Sequence, residues 1–268
     1  MLKESSPFSC LETCLQQLSI VTNTRCSPER FHHVFANTKD FPVLPEESDL
    51  LIDKIWHESA EEFPLDEMCV EKFGVSISRR DLLKLKSIEW LNDEIINFYM
   101  QLIVQRSTHE PDLPKVFAFN SFFFTSLKNR GFAAVKRWTK SIDLSSFDII
   151  LVPIHDKTHW SLAVIDMQNQ SIEYYDSMLT NRADYVLLLK QYIIFESLDK
   201  RKSKLDLESW KFGTKYNIPK QSNGSDCGVF VCRFADYISQ RKQINFEQIH
   251  MKYFRRRMVY EICTGTLL

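Results

Sequence analysis

The chain has 268 residues, of which 44 % are hydrophobic and 26 % charged, ordinary proportions for one large domain that buries its core without disulfide or metal staples. Lys and Arg (34) nearly balance Asp and Glu (35), so bulk charge points to neither nucleic acid nor a lipid surface. No apolar run approaches the roughly 20 residues of a helical membrane span, and the N-terminus lacks the charged-then-apolar pattern of a secretory signal.

In chain order, residues 1–40 are polar and irregular and read as a flexible or loosely packed extension. Residues 40–76 carry eleven Asp and Glu against Lys54 and Lys72, which fits a solvated helix face or a docking surface for a basic partner. Leu91, Ile95, Phe98, Leu102 and Ile103 follow helical spacing behind Asn92, a plausible cap. A Phe-rich helix over 120–130 is stopped by Gly131. The period then changes. Residues 149–152, 160–165 and 171–176 read as consecutive strands separated by polar turns. Helical patterns return over 182–198, 227–239 and 247–262, the last with Arg255, Arg256 and Arg257 in succession. Helices, then strands, then helices predict an α+β fold around a small sheet.

The seven cysteines are Cys10, Cys14, Cys26, Cys69, Cys227, Cys232 and Cys263. An odd count, scattered spacing and no C-x-x-C pair point to free thiols in a reducing compartment, most of them inert. Three segments place reactive groups at element boundaries. His159 stands where a turn re-enters a strand, and it reads either as a packed histidine or as an imidazole facing a cleft. With His155 it has i, i+4 spacing, but Pro153 and strand-like flanks make a metal-binding helix the wrong reading. Asp176 ends a neighbouring strand, either as a simple turn residue or as a carboxylate able to take the Nδ1 proton of His159. The loop Gln221-Ser222-Asn223-Gly224-Ser225-Asp226 delivers Cys227 onto the start of an apolar helix. Unpaired amides and the positive end of the helix dipole favour a thiolate there. Gly228 would let a substrate backbone approach closely, and Gln221 offers a side-chain NH₂ to an oxyanion hole. Cys232 falls inside the same helix and reads as core.

The residues His159-Trp160, Asp176-Ser177, Gln221 and Asp226-Cys227-Gly228, in that order, resemble the Ulp/SENP family of SUMO-specific cysteine proteases. The blocks at 90–99, 119–124, 135–139, 175–178 and 253–262 are similar too, so the resemblance runs from about Phe41 to the end and leaves 1–40 outside it. It is nearest to the Ulp1-like animal branch rather than the deneddylases. It implies a papain-like fold in rearranged chain order, with a small mixed sheet flanked by helices, as a catalytic domain over 41–268. It also implies His159 as base, Asp176 as its orienter, Cys227 as nucleophile and Gln221 as oxyanion donor. Trp90 and Trp160 would roof and floor a tunnel too narrow for any Cβ, which selects a Gly-Gly tail. Asp93 would meet a basic residue of the modifier, or simply complement its helix dipole, and His155 would sit near the tunnel mouth. Trp56, Trp138 and Trp210 read as core. The reaction implied is cleavage after the Gly-Gly of SUMO, in precursors and in isopeptide conjugates. The resemblance further implies a monomer without metal or cofactor, binding neither nucleic acid nor membrane, and placed in the nucleus or at its envelope, with the cytoplasm also open. A protease for another diglycine-tailed modifier such as Nedd8, or a non-catalytic SUMO-binding module, would carry much of the same pattern.

Overall fold

The computed structural model describes residues 41–57, 64–86 and 88–268. The extension expected over 1–40, with Cys10, Cys14 and Cys26, lies outside the described residues.

Alternation along the central strands builds the frame. Strands β3 (Val116–Ala118), β4 (Ile149–Asp156), β5 (His159–Asp166), β6 (Ser171–Tyr175) and β7 (Lys211–Lys215) form one sheet in the order β3-β4-β5-β6-β7. The three strands expected from sequence are its antiparallel centre, and β3 and β7 add parallel edges. In β4, Ile149 and Leu151 point to one face while Ile150, Val152 and Ile154 point to the other. In β5, Leu162 and Val164 oppose Ala163 and Ile165 in the same way. Both faces are therefore covered, as strands buried on two sides require.

Helices α3 (Asp93–His109), α7 (Cys227–Ser239) and α8 (Met251–Thr264) cover the first face. Helices α4 (Phe122–Arg130), α5 (Phe132–Val135) and α6 (Ala183–Arg201) cover the second. Asn92 caps α3, its Oδ1 accepting from the Ile95 amide at 3.3 Å, and Gly131 ends α4 at φ 73°. The α+β expectation and its mixed sheet hold.

The acidic stretch resolves into three pieces among the described residues. Helix α1 (Glu46–Ile55) packs Ile52 and Ile55 inward. A separate hairpin of β1 (Met68–Lys72) and β2 (Val75–Ser78) follows, leading into the short helix α2 (Arg79–Leu83). The arginine-rich final helix also differs from its expected basic face. Arg255 and Arg257 are buried, because Asp226 and Glu261 neutralise them from within at 2.7 Å each.

Candidate active site

His159 is the first residue of β5, and antiparallel pairing sets Leu162 opposite Tyr175, the last residue of β6. The residue after Tyr175 therefore lands beside the start of β5. It is Asp176, fully buried, with Oδ1 2.6 Å from Nε2 of His159. The expected nitrogen was Nδ1. The correction follows from position: the carboxylate at the strand end meets the far side of the ring, and the other nitrogen is left for a second partner. Cys227 lies close enough to the same imidazole to act on its charge.

Asp176 accepts from three further donors: the amides of Met178 (2.8 Å) and Thr180 (3.3 Å) and the Thr180 hydroxyl. Burial alone would raise its pKa, but the bonds from His159, Thr180 and Met178 outweigh burial and hold the carboxyl below its usual range. Burial likewise works against a charged His159. The hydrogen bonds and charges of Asp176 and Cys227 win, and they raise the imidazole to about 9. The ring is thus held as an imidazolium at neutral pH.

Cys227 is the first residue of α7, buried at 1 % exposure, and the Phe230 amide already closes onto the Asp226 carbonyl. The amides of Cys227, Gly228 and Val229 precede any intrahelical partner and remain as donors for an anion. The loop before them is rigid. Asn223 Oδ1 accepts from the amides of Ser225 (3.1 Å) and Asp226 (3.0 Å), and its Nδ2 donates to Asp226 at 2.7 Å. The Gln221 amide bonds the Ser177 carbonyl at 2.9 Å, and the Ser177 hydroxyl donates to Gln221 Oε1. The turn that carries Asp176 therefore also anchors Gln221. One N–H of Gln221 Nε2 goes to the Asn223 carbonyl at 2.6 Å, which leaves its second N–H for another acceptor.

The tryptophans differ from each other. Trp90 is half exposed, and its indole N–H donates to the Gly224 carbonyl at 2.7 Å, so it stands against the nucleophile loop. Trp160 is only 1 % exposed and donates to the Leu91 carbonyl at 2.9 Å. Antiparallel register sets His155 opposite Trp160, and the two rings stack at 4.2 Å. One indole face is thus covered by His155 rather than open as a tunnel floor.

Gly228 also departs from expectation. A Cβ there would lie 2.9 Å from Leu91 Cβ, so the room it leaves is filled by the protein and not by a substrate. Asp93 opens α3 and accepts from the Ser121 hydroxyl at 2.7 Å. Cys232 is wholly buried, and burial pushes its thiol far above the ordinary range. Trp210 is buried, while Trp56 and Trp138 pack half-buried against the two cores.

Thr180, Ser177, Asn223 and Arg255 were not legible as site residues. Asp176 accepting from the Met178 amide two residues on is an Asx turn, which the sequence signals by residue type but which does not point to Thr180.

The profile of the Ulp1 protease family, C-terminal catalytic domain, matches residues 89–267. The chain belongs to this family. A sentrin-specific protease of Caenorhabditis elegans is 44 % identical over 229 residues, covering 85 % of this chain and 32 % of that protein. Sentrin-specific protease 2 of Homo sapiens is 46 % identical over 207 residues, covering 76 % of this chain and 35 % of that protein. The chain thus spans about a third of the length of these curated relatives. Among solved structures, the C-terminal Ulp1 protease domain in complex with Smt3, the yeast ortholog of SUMO, superimposes with TM-score 0.72. It is 29 % identical, over 84 % of this chain and 97 % of that one. A Ulp1 SUMO protease whose catalytic cysteine is oxidised to a sulfenic acid matches equally well, with TM-score 0.72 and 30 % identity. Ulp1-family membership makes the fold that of a cysteine protease.

Proposed function

We propose that the chain is a SUMO-specific cysteine protease that cleaves after the C-terminal Gly-Gly of SUMO, both in precursors and in isopeptide conjugates. The observation that carries this reading is the His159–Asp176 pair set beside Cys227 at the start of α7. A thiol at a helix start beside an imidazolium is placed to act as a nucleophile. Cys227 attacks the glycine carbonyl. The oxyanion takes hydrogen bonds from first-turn amides of α7 and from the free N–H of Gln221. Collapse expels the amine, which takes its proton from His159. Water, deprotonated by His159, then hydrolyses the thioester. Asp176 keeps the ring oriented and stabilises its charged form.

Trp90, exposed beside the loop, is one wall over a diglycine tail, and Trp160 with His155 is the other. The half-buried Asp93 keeps one carboxylate oxygen for a basic residue of the modifier. The solved Ulp1–Smt3 pair supports SUMO as the partner class. We further propose that the domain works as a monomer in the nucleus, away from nucleic acid and membrane. Gel filtration with light scattering and imaging of the tagged chain test those two points.

The reaction is tested with SUMO, Nedd8 and ubiquitin carrying C-terminal electrophiles. A covalent adduct with SUMO is expected. An adduct with Nedd8 alone would overturn the specificity, and no adduct at all would leave a binding module. Cys227→Ser should abolish the adduct while SUMO still binds, with kcat down by about 10⁴ or more. Loss of the adduct in Cys232→Ser instead would move the nucleophile.

A further inference from the structure

One cationic cavity lies on the opposite side of the sheet from α7. After α5, residues 136–140 wrap over the C-terminal end of α6. Val135 and Thr139 are fully buried, and Trp138 meets Phe123 edge-on at 5.8 Å. The Thr139 hydroxyl donates to Glu196 at 2.5 Å, and Lys200 Nζ donates to the Thr139 carbonyl at 2.7 Å. With 135, 138 and 139 turned inward and fixed, Lys136, Arg137 and Lys140 are exposed together. Their side chains have no hydrogen bond or ion pair with any described residue. Together with Lys200 and Asp199 they line one cavity of about 440 Å³.

Four cations meet one carboxylate at this cavity. Arg80, Arg182, Arg201 and Lys215 each pair with an acid of the chain. A cation at the end of α6 complements that helix's dipole, which accounts for Lys200. Lys136, Arg137 and Lys140 are not on α6, so that account does not reach them.

We propose that this cavity binds a compact polyanion, a small molecule carrying several phosphate groups on one scaffold. The volume is that of a small-ligand site, and the cations close on one concavity instead of running along a track, as a polymer backbone would need. An Arg fork with mobile ammonium groups suits clustered phosphate oxygens.

Titration calorimetry of the whole chain at ~0.15 M salt, with inositol hexakisphosphate, ATP and duplex DNA as probes, tests this. One saturable site for at least one small polyphosphate is expected, weakened tenfold or more in the folded double variant Arg137→Glu/Lys140→Glu. The exposed Lys252→Glu, on α8, should leave it unchanged. No saturable binding, equal weakening by Lys252→Glu, or tighter binding of DNA than of either small probe would overturn the proposal. Circular dichroism melts confirm that each variant is folded.

A different observation carries a second inference, which rests on the protease reading. Arg255 is 5 % exposed, and its guanidinium joins three segments. Nε and Nη2 donate to Asp226 Oδ1 at 2.9 and 2.7 Å, Nη1 to the Lys84 carbonyl at 2.9 Å, and Nη2 to the Glu89 carbonyl at 3.1 Å. Glu89 immediately precedes Trp90, and Asp226 immediately precedes Cys227. On its other oxygen, Asp226 accepts from Gln248 and Asn223, which hold the rest of the nucleophile loop. Arg255 touches no reacting atom.

The geometry points to Arg255 as a positioning residue that keeps Trp90 and Cys227 in register. Small misplacements at a reacting centre cost up to about a hundredfold in rate. Arg255→Gln should therefore lower kcat by about 10- to 100-fold, with KM for a SUMO precursor changed less than about threefold. Arg255→Lys keeps the charge but not the fork, and it should fall between. Melting curves establish that the variants are folded at assay temperature. Unchanged kcat in folded Arg255→Gln, or a kcat loss matched by the unfolded fraction, would overturn the role. Adduct formation by the unsubstituted chain separates the two failures: without it the protease reading itself falls, and with it only Arg255 is reassigned.

Discussion

Both faces of the central sheet are apolar cores, but one of them carries buried ion pairs and the other does not to the same degree. Between α3, α7 and α8 the apolar core also carries a buried ionic network. Arg233 bonds Asp236 at 2.6 Å and the Tyr99 hydroxyl at 2.7 Å, and Tyr99 donates to Glu261 at 2.7 Å. Glu261 in turn takes Arg257 at 2.7 Å, and Arg106 reaches Asp236 at 2.6 Å. On the opposite face aliphatic residues and rings pack without such a network. Phe119 stacks on Phe123 at 3.6 Å, Tyr192 meets Phe123 edge-on at 4.9 Å, and Tyr185 meets Phe124 at 4.6 Å. Ion pairs are directional, so the first face fixes the angle at which α7 presents its N-terminus. Apolar packing tolerates small shifts, so the second face constrains α7 less.

Three measurements can break or sharpen that contrast. The largest effect belongs to Asp236, whose carboxyl burial would push upward but which Arg233 and Arg106 hold down to about 2. Asp236→Ala strands two guanidinium groups in the interior, and denaturant unfolding should show a loss of about 3–5 kcal/mol. SUMO cleavage should fall as well, because α7 loses its alignment. Phe123→Leu on the other face should cost about 1–3 kcal/mol with kcat unchanged. If it lowered kcat as much as Asp236→Ala, the faces would not differ in the way described.

The smallest effect is the pH dependence of His159. Its folded pKa is raised from 6.5 to about 9. The stabilisation it contributes is therefore complete below pH ~6.5 and is lost as pH rises through about 9. Melting temperature should decline over that window, and the decline should be shallower in His159→Gln. Asp176 has the opposite sign: its lowered pKa means stability lost as pH falls through its folded value.

Legibility in the sequence followed the same division. The helices α3, α4 and α7 and the strands β4 to β6 were readable because apolar period and caps agree in each. The β1–β2 hairpin was not, since its polar strands alternate weakly. Its only signal was the turn Phe73-Gly74, both at positive φ as a two-residue hairpin turn demands. The polar edge strand β7 exists through parallel pairing with β6, which no local pattern encodes. At the site, the residue types at 159, 176, 221 and 227 were readable from element boundaries and family likeness. The nitrogen of His159 that meets Asp176, the stacking of His155 on Trp160 and the burial of Arg255 were not. Each depends on which side chain lies across a strand pair or between two helices, and spacing along one chain carries no such information.

The contact between Gly228 and Leu91 has a consequence for genetics. Leu91 follows Trp90 in sequence, its carbonyl holds the Trp160 indole, and its side chain occupies the place of a Gly228 Cβ. A single methyl group at 228 would press on Leu91, which adjoins Trp90 and holds the Trp160 indole, the two walls of the proposed channel. An allele altering the residue beside the nucleophile would then present as a substrate-admission defect, with the thiol still reactive toward small alkylators. A screen that scores only cleavage would file it with the dead enzymes, whereas one that also scores thiol labelling would place it among the specificity mutants.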